Sequence, residues 1–275
     1  MEAQQMRAVR AYSFHWRQDN MLKRILSCIL GTAVFAVPSG ISQQMAPRTF
    51  RFVSEWKIAP QHVAAYTSDL DKIMRPTLES LLQDGTVLDY GIYITTITED
   101  EGITNGVWYE VPSFAAMEKV QDKLAKLPPS NFASSAIRQH DYLFRVILRN
   151  GRPARGSNGY FYLNSTLLQS GKRDQWRQWW DKYQKSMYDQ FLAEGLITSY
   201  ELDSGEIHTM DPNWVYLAYV IPTAEALDKI NNAFRIRVEK RTPEENQAIN
   251  SALEVLVVPG SHRDYLARTT SYATK

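Results

Sequence analysis

Residues 109–120 read YEVPSFAAMEKV and residues 219–230 read YVIPTAEALDKI. Four of the twelve positions are identical (Tyr, Pro, Ala, Lys), and five more are conservative exchanges: Val/Ile twice, Ser/Thr, Met/Leu and Glu/Asp. The offset of 110 holds without a gap from residue 50 to 120. It aligns Gly85 with Gly195, Tyr90 with Tyr200, Ile97 with Ile207, Tyr66 with Trp176 and Asp71-Lys72 with Asp181-Lys182. It also lays FRFVSEWKI (50–58) over YFYLNSTLL (160–168). Further on, HDYLFR (140–145) matches RDYLAR (263–268) at an offset of 123, so the second copy carries about 13 additional residues. A shared offset through so many punctuation points marks an internal repeat.

Each copy predicts the same order of elements. Residues 50–58, rich in aromatic and β-branched side chains, predict a strand. Residues 60–83 predict a helix with Val63, Tyr66, Leu70, Ile73, Met74, Leu78 and Leu81 on one face, and Gly85 supplies the left-handed residue that ends it. Strands at 86–98 and 103–111 flank the turn TEDEG, and a last strand covers 141–149. Pro112 is placed in the first turn of a second helix, where its missing N–H costs nothing. In the second copy the elements fall near 159–168, 170–193, 196–208, 213–221, 222–234 and 263–270. The order βαββαβ is the ferredoxin-like unit. Alternation along the first strand puts Phe50, Phe52, Trp56 and Ile58 on one face and Arg51, Val53, Glu55 and Lys57 on the other.

Two such units in one chain resemble the dimeric α/β-barrel superfamily, here with both protomers fused. The resemblance covers about residues 48–270 and rests on element order and duplication. It implies an α+β pseudo-dimer within a monomeric chain, two four-stranded sheets packed face to face with helices outside. The first repeat is bounded at 45–149, a Gly- and Arg-rich linker at 150–158, and the second repeat at 159–275 with an exposed helical insertion near 235–260. A sheet covered by helices on one side still has a face to bury. A fused copy supplies the cover at high effective concentration.

The 275 residues are 44% hydrophobic and 22% charged with a net charge of +1. That balance fits a globular chain with a core and offers nothing to attract nucleic acid, a polyanion or an anionic membrane. Residues 1–44 are read as an N-terminal extension plus a secretory signal peptide, with Met21 as the true start. Lys23 and Arg24 precede an apolar run from Ile25 to Val37 that is too short to span a bilayer. The protein is therefore expected to be exported, to the periplasm or beyond, with no membrane span after cleavage. Cys28, the only cysteine, lies in that run. A mature chain without it has no disulfide, thiol nucleophile or Cys-ligated metal.

Candidate site residues are scattered. The stretch RDQWRQWWDKYQKSMYDQF (173–191) sets Trp176, Trp180, Tyr183 and Met187 at helical spacing, with Trp179 off the stripe. The resemblance implies ligand cavities between sheet and helices, which makes this stripe a candidate wall; an ordinary core stripe is the plain alternative. Arg145 sits between Leu143 and Ile147 on one strand face and needs a partner or a ligand anion. Glu55 is its expected partner. The counterpart Arg268 has Ser165 where the first copy has Glu55, and so is freer to bind. Tyr109 and Tyr219 occupy matching strand positions as candidate donors into a cavity. Of the histidines His62, His140, His208 and His262, His208 is the candidate general base or, through the resemblance, axial haem ligand. The catalytic candidates are thus His208, Arg268 and Tyr219, and the ligand-binding ones Trp176, Trp180, Tyr183, Met187, Arg145 and Tyr109. There is no HExxH, Gly-rich phosphate loop or GxSxG elbow, and no metal site is expected.

Three readings follow. One is an exported protein that binds a small apolar or anionic molecule in an aromatic-lined cavity. Another is an enzyme of the kind the superfamily hosts, a cofactor-free oxygenase or isomerase, or a haem protein. The third is a protein-interaction or structural module. A fold alone does not choose among them.

Overall fold

In the computed structural model the described residues are 48–97, 102–207 and 211–275. The signal-peptide reading, with Met21 and Cys28, falls outside them, and so does His208. Among the described residues the elements run β1 (Phe50–Ile58), α1 (Val63–Gln83), β2 (Asp89–Ile97), β3 (Asn105–Val111), α2 (Phe114–Leu124), β4 (Ala136–Gly151), β5 (Ala154–Gly156) and β6 (Tyr160–Leu167). They continue as α3 (Arg173–Tyr183), α4 (Lys185–Ala193), β7 (Ser199–Gly205), β8 (Trp214–Ile221), α5 (Ala224–Glu239), α6 (Pro243–Leu256) and β9 (Arg263–Thr274). No helix of the described residues is long and apolar enough to cross a membrane.

The strands pair antiparallel in the order β2-β3-β1-β4-β7-β8-β6-β9, and β9 also pairs with β2. Eight strands therefore close into a barrel, and β5 adds a short strand on the end of β9. The first half contributes β2-β3-β1-β4 and the second β7-β8-β6-β9, joined at the seams β4–β7 and β2–β9. Closure leaves the ring no unpaired edge.

Alternation sends successive side chains outward to the helices and inward to the lumen. In β1, Phe50, Phe52, Trp56 and Ile58 join the core under α1 and α2, whereas Arg51, Val53 and Glu55 face the lumen. A second outer core, around Trp180, Phe191, Tyr200 and Tyr219, lies under the helices of the second half. The lumen core holds Tyr93, Trp108, Phe144, Phe161 and Tyr216. Two glycines make room for its largest rings: a Cβ at Gly91 would stand 2.1 Å from the Trp108 ring, and one at Gly106 would stand 2.1 Å from the Tyr93 ring.

The helix ends repeat between halves. Gly85 follows α1 at φ +79° and Gly195 follows α4 at φ +75°, the left-handed conformation that glycine adopts without penalty. Pro112 differs from expectation. It precedes the N-cap instead of opening the helix: Ser113 Oγ accepts from Ala116 N at 3.1 Å, and Thr223 Oγ1 does the same for Ala226 N at 3.2 Å. The capping oxygen satisfies an orphan N–H, so the helix begins after the proline.

The second half departs from the first in two places. The helix expected over 170–193 is broken at Gln184 (φ −118°, ψ −43°) into α3 and α4. The insertion extends α5 and builds α6, which opens on a reciprocal Thr242–Glu245 capping box and buries Ile249 and Leu256.

Candidate functional site

The broken helix and the added helix enclose space above the second sheet. A cavity of about 490 Å³ lies between β6, β8 and β9 on one side and α3 to α6 on the other. Its floor is Tyr162 of β6 stacked on Tyr219 of β8, ring centroids 4.9 Å apart. Trp176, Trp179 and Trp180 of α3, Tyr188 of α4, Phe234 of α5 and Leu253 of α6 form the walls. The Tyr188 ring lies 5.6 Å from Tyr219 and 6.0 Å from Trp180. Flat aromatic walls of this kind favour a flat, largely apolar guest. The equivalent pair in the first half, Phe52 and Tyr109, stacks at 5.1 Å within the core under α1 and α2.

One end of the cavity is polar. Asn164 Nδ2 donates to Asp264 Oδ1 at 2.8 Å and also contacts His262 Nε2, while His262 Nδ1 lies 3.7 Å from Asp264 Oδ2. Burial raises the phenols of Tyr188 and Tyr219, and burial together with the nearby Asp264 carboxylate raises that of Tyr162. All three are neutral hydroxyls at physiological pH. Trp179 Nε1 on the cavity wall is buried and has no hydrogen-bond partner among the described residues. An unpaired buried donor carries a desolvation cost of about 1–3 kcal/mol that an acceptor in the cavity would relieve.

The residues singled out from sequence are thus partly gathered. Trp176, Trp180 and Tyr219 line this cavity. Tyr183, at the end of α3, and Met187, beyond the break at Gln184, instead line a neighbouring cleft against α5 and α6. Tyr109 is buried in the first outer core. Arg145 does not meet Glu55. The β1–β4 register sets Arg145 opposite Phe50 on the outer face, five residues from Glu55 on the inner one. Arg145 pairs with Glu206 at 3.3 Å, and Glu55 accepts from Tyr93 at 2.6 Å and Tyr265 at 3.0 Å. Arg268 is exposed, opposite Tyr160 in the β6–β9 ladder.

Sequence reasoning passed over Tyr162, Tyr188, Asn164, His262 and Asp264. The offset of 110 aligns Tyr162 with Phe52 and so could have marked it. His262 and Asp264 stand at the edge of the matched RDYLAR segment, where the offset has shifted.

It also passed over a charged network inside the barrel. Arg51 pairs with Glu201 and, at 3.4 Å, with Asp203; Arg149 Nε reaches Glu110 at 2.8 Å and Glu201 at 3.3 Å. Thr49 donates to Glu110 at 2.6 Å, and Asp89 accepts from Trp108 Nε1 and, at 2.6 Å, from Thr274. Burial pushes the Asp203 carboxyl up to about 8 and raises Glu201 and Glu110, against the pull of the guanidiniums. For Arg51 burial works to lower the pKa, and the carboxylates of Glu201 and Asp203 more than offset it, so it stays charged.

The aromatic cavity's histidine offers no free nitrogen to a haem iron, and His208, the haem-ligand candidate, lies outside the described residues. His262 is the cavity's histidine among the described residues; it is exposed, and both ring nitrogens face polar side chains, Asn164 and Asp264.

No protein-family model matches the sequence, and no curated protein matches it. Solved structures do. A "putative monooxygenase" from Fusobacterium nucleatum subsp. nucleatum is similar with a TM-score of 0.61 and 10% identity, over 84% of this chain and 96% of that one. A second, from Lactobacillus acidophilus NCFM, has a TM-score of 0.59 and 14% identity, over 83% and 97%. At such identities the likeness shows the fold alone, an α/β barrel whose eight strands here all come from a single chain.

Proposed function

We propose that the chain is two ferredoxin-like units fused into one exported, monomeric pseudo-dimer, and that its second unit binds a small, flat, largely apolar molecule carrying a hydrogen-bond acceptor. Support for the duplication is local and repeated. Phe52–Tyr109 and Tyr162–Tyr219 stack in equivalent places, Ser113 and Thr223 cap equivalent helices, and Gly85 and Gly195 end equivalent ones. The binding reading rests on one observation, the buried, unpartnered Trp179 N–H on the wall of a cavity whose floor and walls are largely aromatic and whose one end is polar. Only the second unit has the helix break and the added helix that shape this space, so the ligand site is single although the fold is double.

Titration of the protein with a flat aromatic ketone such as fluorenone, followed by tryptophan fluorescence, tests this. Binding should weaken about tenfold in Trp179→Phe, consistent with loss of a buried hydrogen bond worth about 1.4 kcal/mol. Leu253→Trp, which fills the cavity, should abolish it. Undiminished binding in Leu253→Trp would overturn the assignment.

A second reading, cofactor-free oxygenation of the bound molecule, is favoured by the names of the two similar structures and by the His262–Asp264 pair beside three neutral phenols. In it the substrate itself supplies the electrons that reduce O2. Oxygen uptake on adding an electron-rich flat phenol, lost in His262→Ala, would select it; binding without uptake leaves a binding protein.

A further inference from the structure

The cleft that takes up Tyr183 and Met187 has a chemistry of its own. It measures about 500 Å³ and lies between α4, α5 and α6. Its apolar lining comes from Met187 and Phe191 of α4 and Ile249 of α6, all buried, and from half-buried Ile236 of α5. No two rings stack in that lining, unlike the Tyr162–Tyr219 floor of the aromatic cavity.

The polar lining carries more positive charge than negative. Arg237, Lys240 and Arg241 stand against Glu194 and Glu245. Both carboxylates are engaged locally: Glu194 accepts from Gln190 Nε2 at 2.7 Å, and Glu245 accepts from Thr242 N at 3.1 Å in the box that opens α6. The nearby Glu239 is taken by Arg235 at 2.6 Å. Among the described residues none of the three cations has a carboxylate within ion-pairing distance. Arg237 is half-buried, and its Nη2 donates to the carbonyl of Tyr183, the last residue of α3. A guanidinium has further N–H groups to offer. Burial and then the Arg241 guanidinium lower the pKa of Arg237 against the weaker pull of Glu245, and it stays charged. Lys240 and Arg241 at the close of α5 also suit the negative end of the helix dipole. That accounts for their sign, and not for a half-buried guanidinium beside an apolar lining.

A guanidinium fork matches a carboxylate in geometry and charge, and methylenes buried in an apolar cleft add to affinity one by one. We infer that this cleft receives a small aliphatic carboxylate, its head on Arg237 and Arg241 and its chain along Met187, Phe191 and Ile249. The volume falls within the range of about 300–1,000 Å³ for small-molecule pockets. Unstacked side chains and a pliable methionine suit a flexible chain, where the aromatic cavity suits a flat guest. The cleft is separate from the aromatic site and does not depend on it.

The test is calorimetric titration of the intact chain with octanoate, hexanoate, octanol and octylammonium. Octanoate should bind, octanol about tenfold more weakly for want of a charge-assisted bond, and octylammonium more weakly still. Hexanoate should bind about fifteenfold more weakly than octanoate, since each methylene entering an apolar site is worth about fourfold in affinity. Arg241→Gln alone should weaken octanoate several-fold. Arg237→Gln with Arg241→Gln, checked for folding by circular dichroism, should reduce octanoate to the affinity of octanol and leave octanol unchanged. Leu253→Trp, which fills the aromatic cavity, should leave octanoate affinity as it was, and the double arginine variant should still bind fluorenone, so failure of one assignment is distinguishable from failure of the other. The inference is overturned by no saturable binding of octanoate, by equal affinity for octanoate and octanol, or by octylammonium binding more tightly than octanoate. Full octanoate affinity in the double arginine variant, or its loss in Leu253→Trp, would overturn it as well.

Discussion

Tyr200 donates its phenolic hydrogen to Asp189 across 2.5 Å, joining β7 to α4. Tyr90 does the same for Glu79 at 3.2 Å, joining β2 to α1, and both members of the pair stand 110 residues earlier. The bond is a bolt between sheet and helix in each half. Asp189 is held further by Lys185 at 2.5 Å and Asn150 at 2.9 Å, and these hydrogen bonds, with that from Tyr200, outweigh burial and lower its pKa. Tyr200→Phe should therefore cost roughly 0.5–1.5 kcal/mol of unfolding free energy, and Tyr90→Phe no more than that. Urea denaturation at neutral pH checks both; a Tyr90→Phe loss exceeding that of Tyr200→Phe would contradict the ranking.

The close approach at Gly91 makes a second prediction. Gly91→Ala would place a methyl carbon against the Trp108 ring, which also stacks on Phe161 with centroids 4.5 Å apart. Overpacking of this sort costs about 1–3 kcal/mol. The same change at Gly171, where nothing lies within 4 Å but φ is +74°, carries only the backbone penalty. Chemical denaturation should show Gly91→Ala as the more damaging of the two.

Stability should fall as pH rises. Asp203 holds its proton in the folded state up to about 8, whereas an unfolded aspartate releases it near 4. Between those values the folded chain binds the extra proton, so each unit of pH erodes stability until the curve levels above about 8. The groups around Asp203 are Arg51 and Glu55 from β1, Asp89 from β2, Glu201 from its own strand, Tyr216 from β8 and Tyr265 from β9, with Glu110 and Arg149 joined to them through Glu201. Glu201 shifts in the same direction. Asp203→Asn should flatten the slope and raise stability at pH 8 more than at pH 5. Parallel pH profiles for the two proteins would refute the assignment.

Arg51 pairs with both Glu201 and Asp203, whereas Arg149 reaches Glu201 alone of the two. Arg51→Met leaves Glu201 and Asp203 buried without it, and removal of one partner from a buried ion pair costs about 3–5 kcal/mol. Adding Glu201→Gln should restore part of that loss, and the double-mutant cycle measures the coupling.

The extent to which the sequence announced this structure differs by level. Element order was legible because aromatic strands, glycine stops and capped helices recur at one spacing, and local chemistry of that kind needs no tertiary context. Alternation in β1 was legible too, but it left open which face turned inward, since both faces of a helix-covered barrel are buried. The Arg145–Glu55 pairing failed for that reason: adjacency of strands was right, register and face were not. The break at Gln184 had no warning residue, since KYQKSM contains neither proline nor glycine. The cavity was half readable. Trp176 and Trp180 lie on a visible stripe, whereas Trp179 falls off it, and Leu253 and His262 reach the cavity only through the path of residues 235–262.

The seam between β2 and β9 joins positions as remote as Asp89 and Thr274, 185 residues apart. Contacts of such long range are slow to form, because chain entropy must be surrendered before they contribute. Until the second half has been synthesised, Arg51 also lacks both of its acidic partners, Glu201 and Asp203. A nascent chain that stops after β4 would therefore hold Arg51 beside Glu110 and Asp89 but without its two ion-pair partners. Closure of the ring thus waits on β9, the last strand of the described residues, reaching β2.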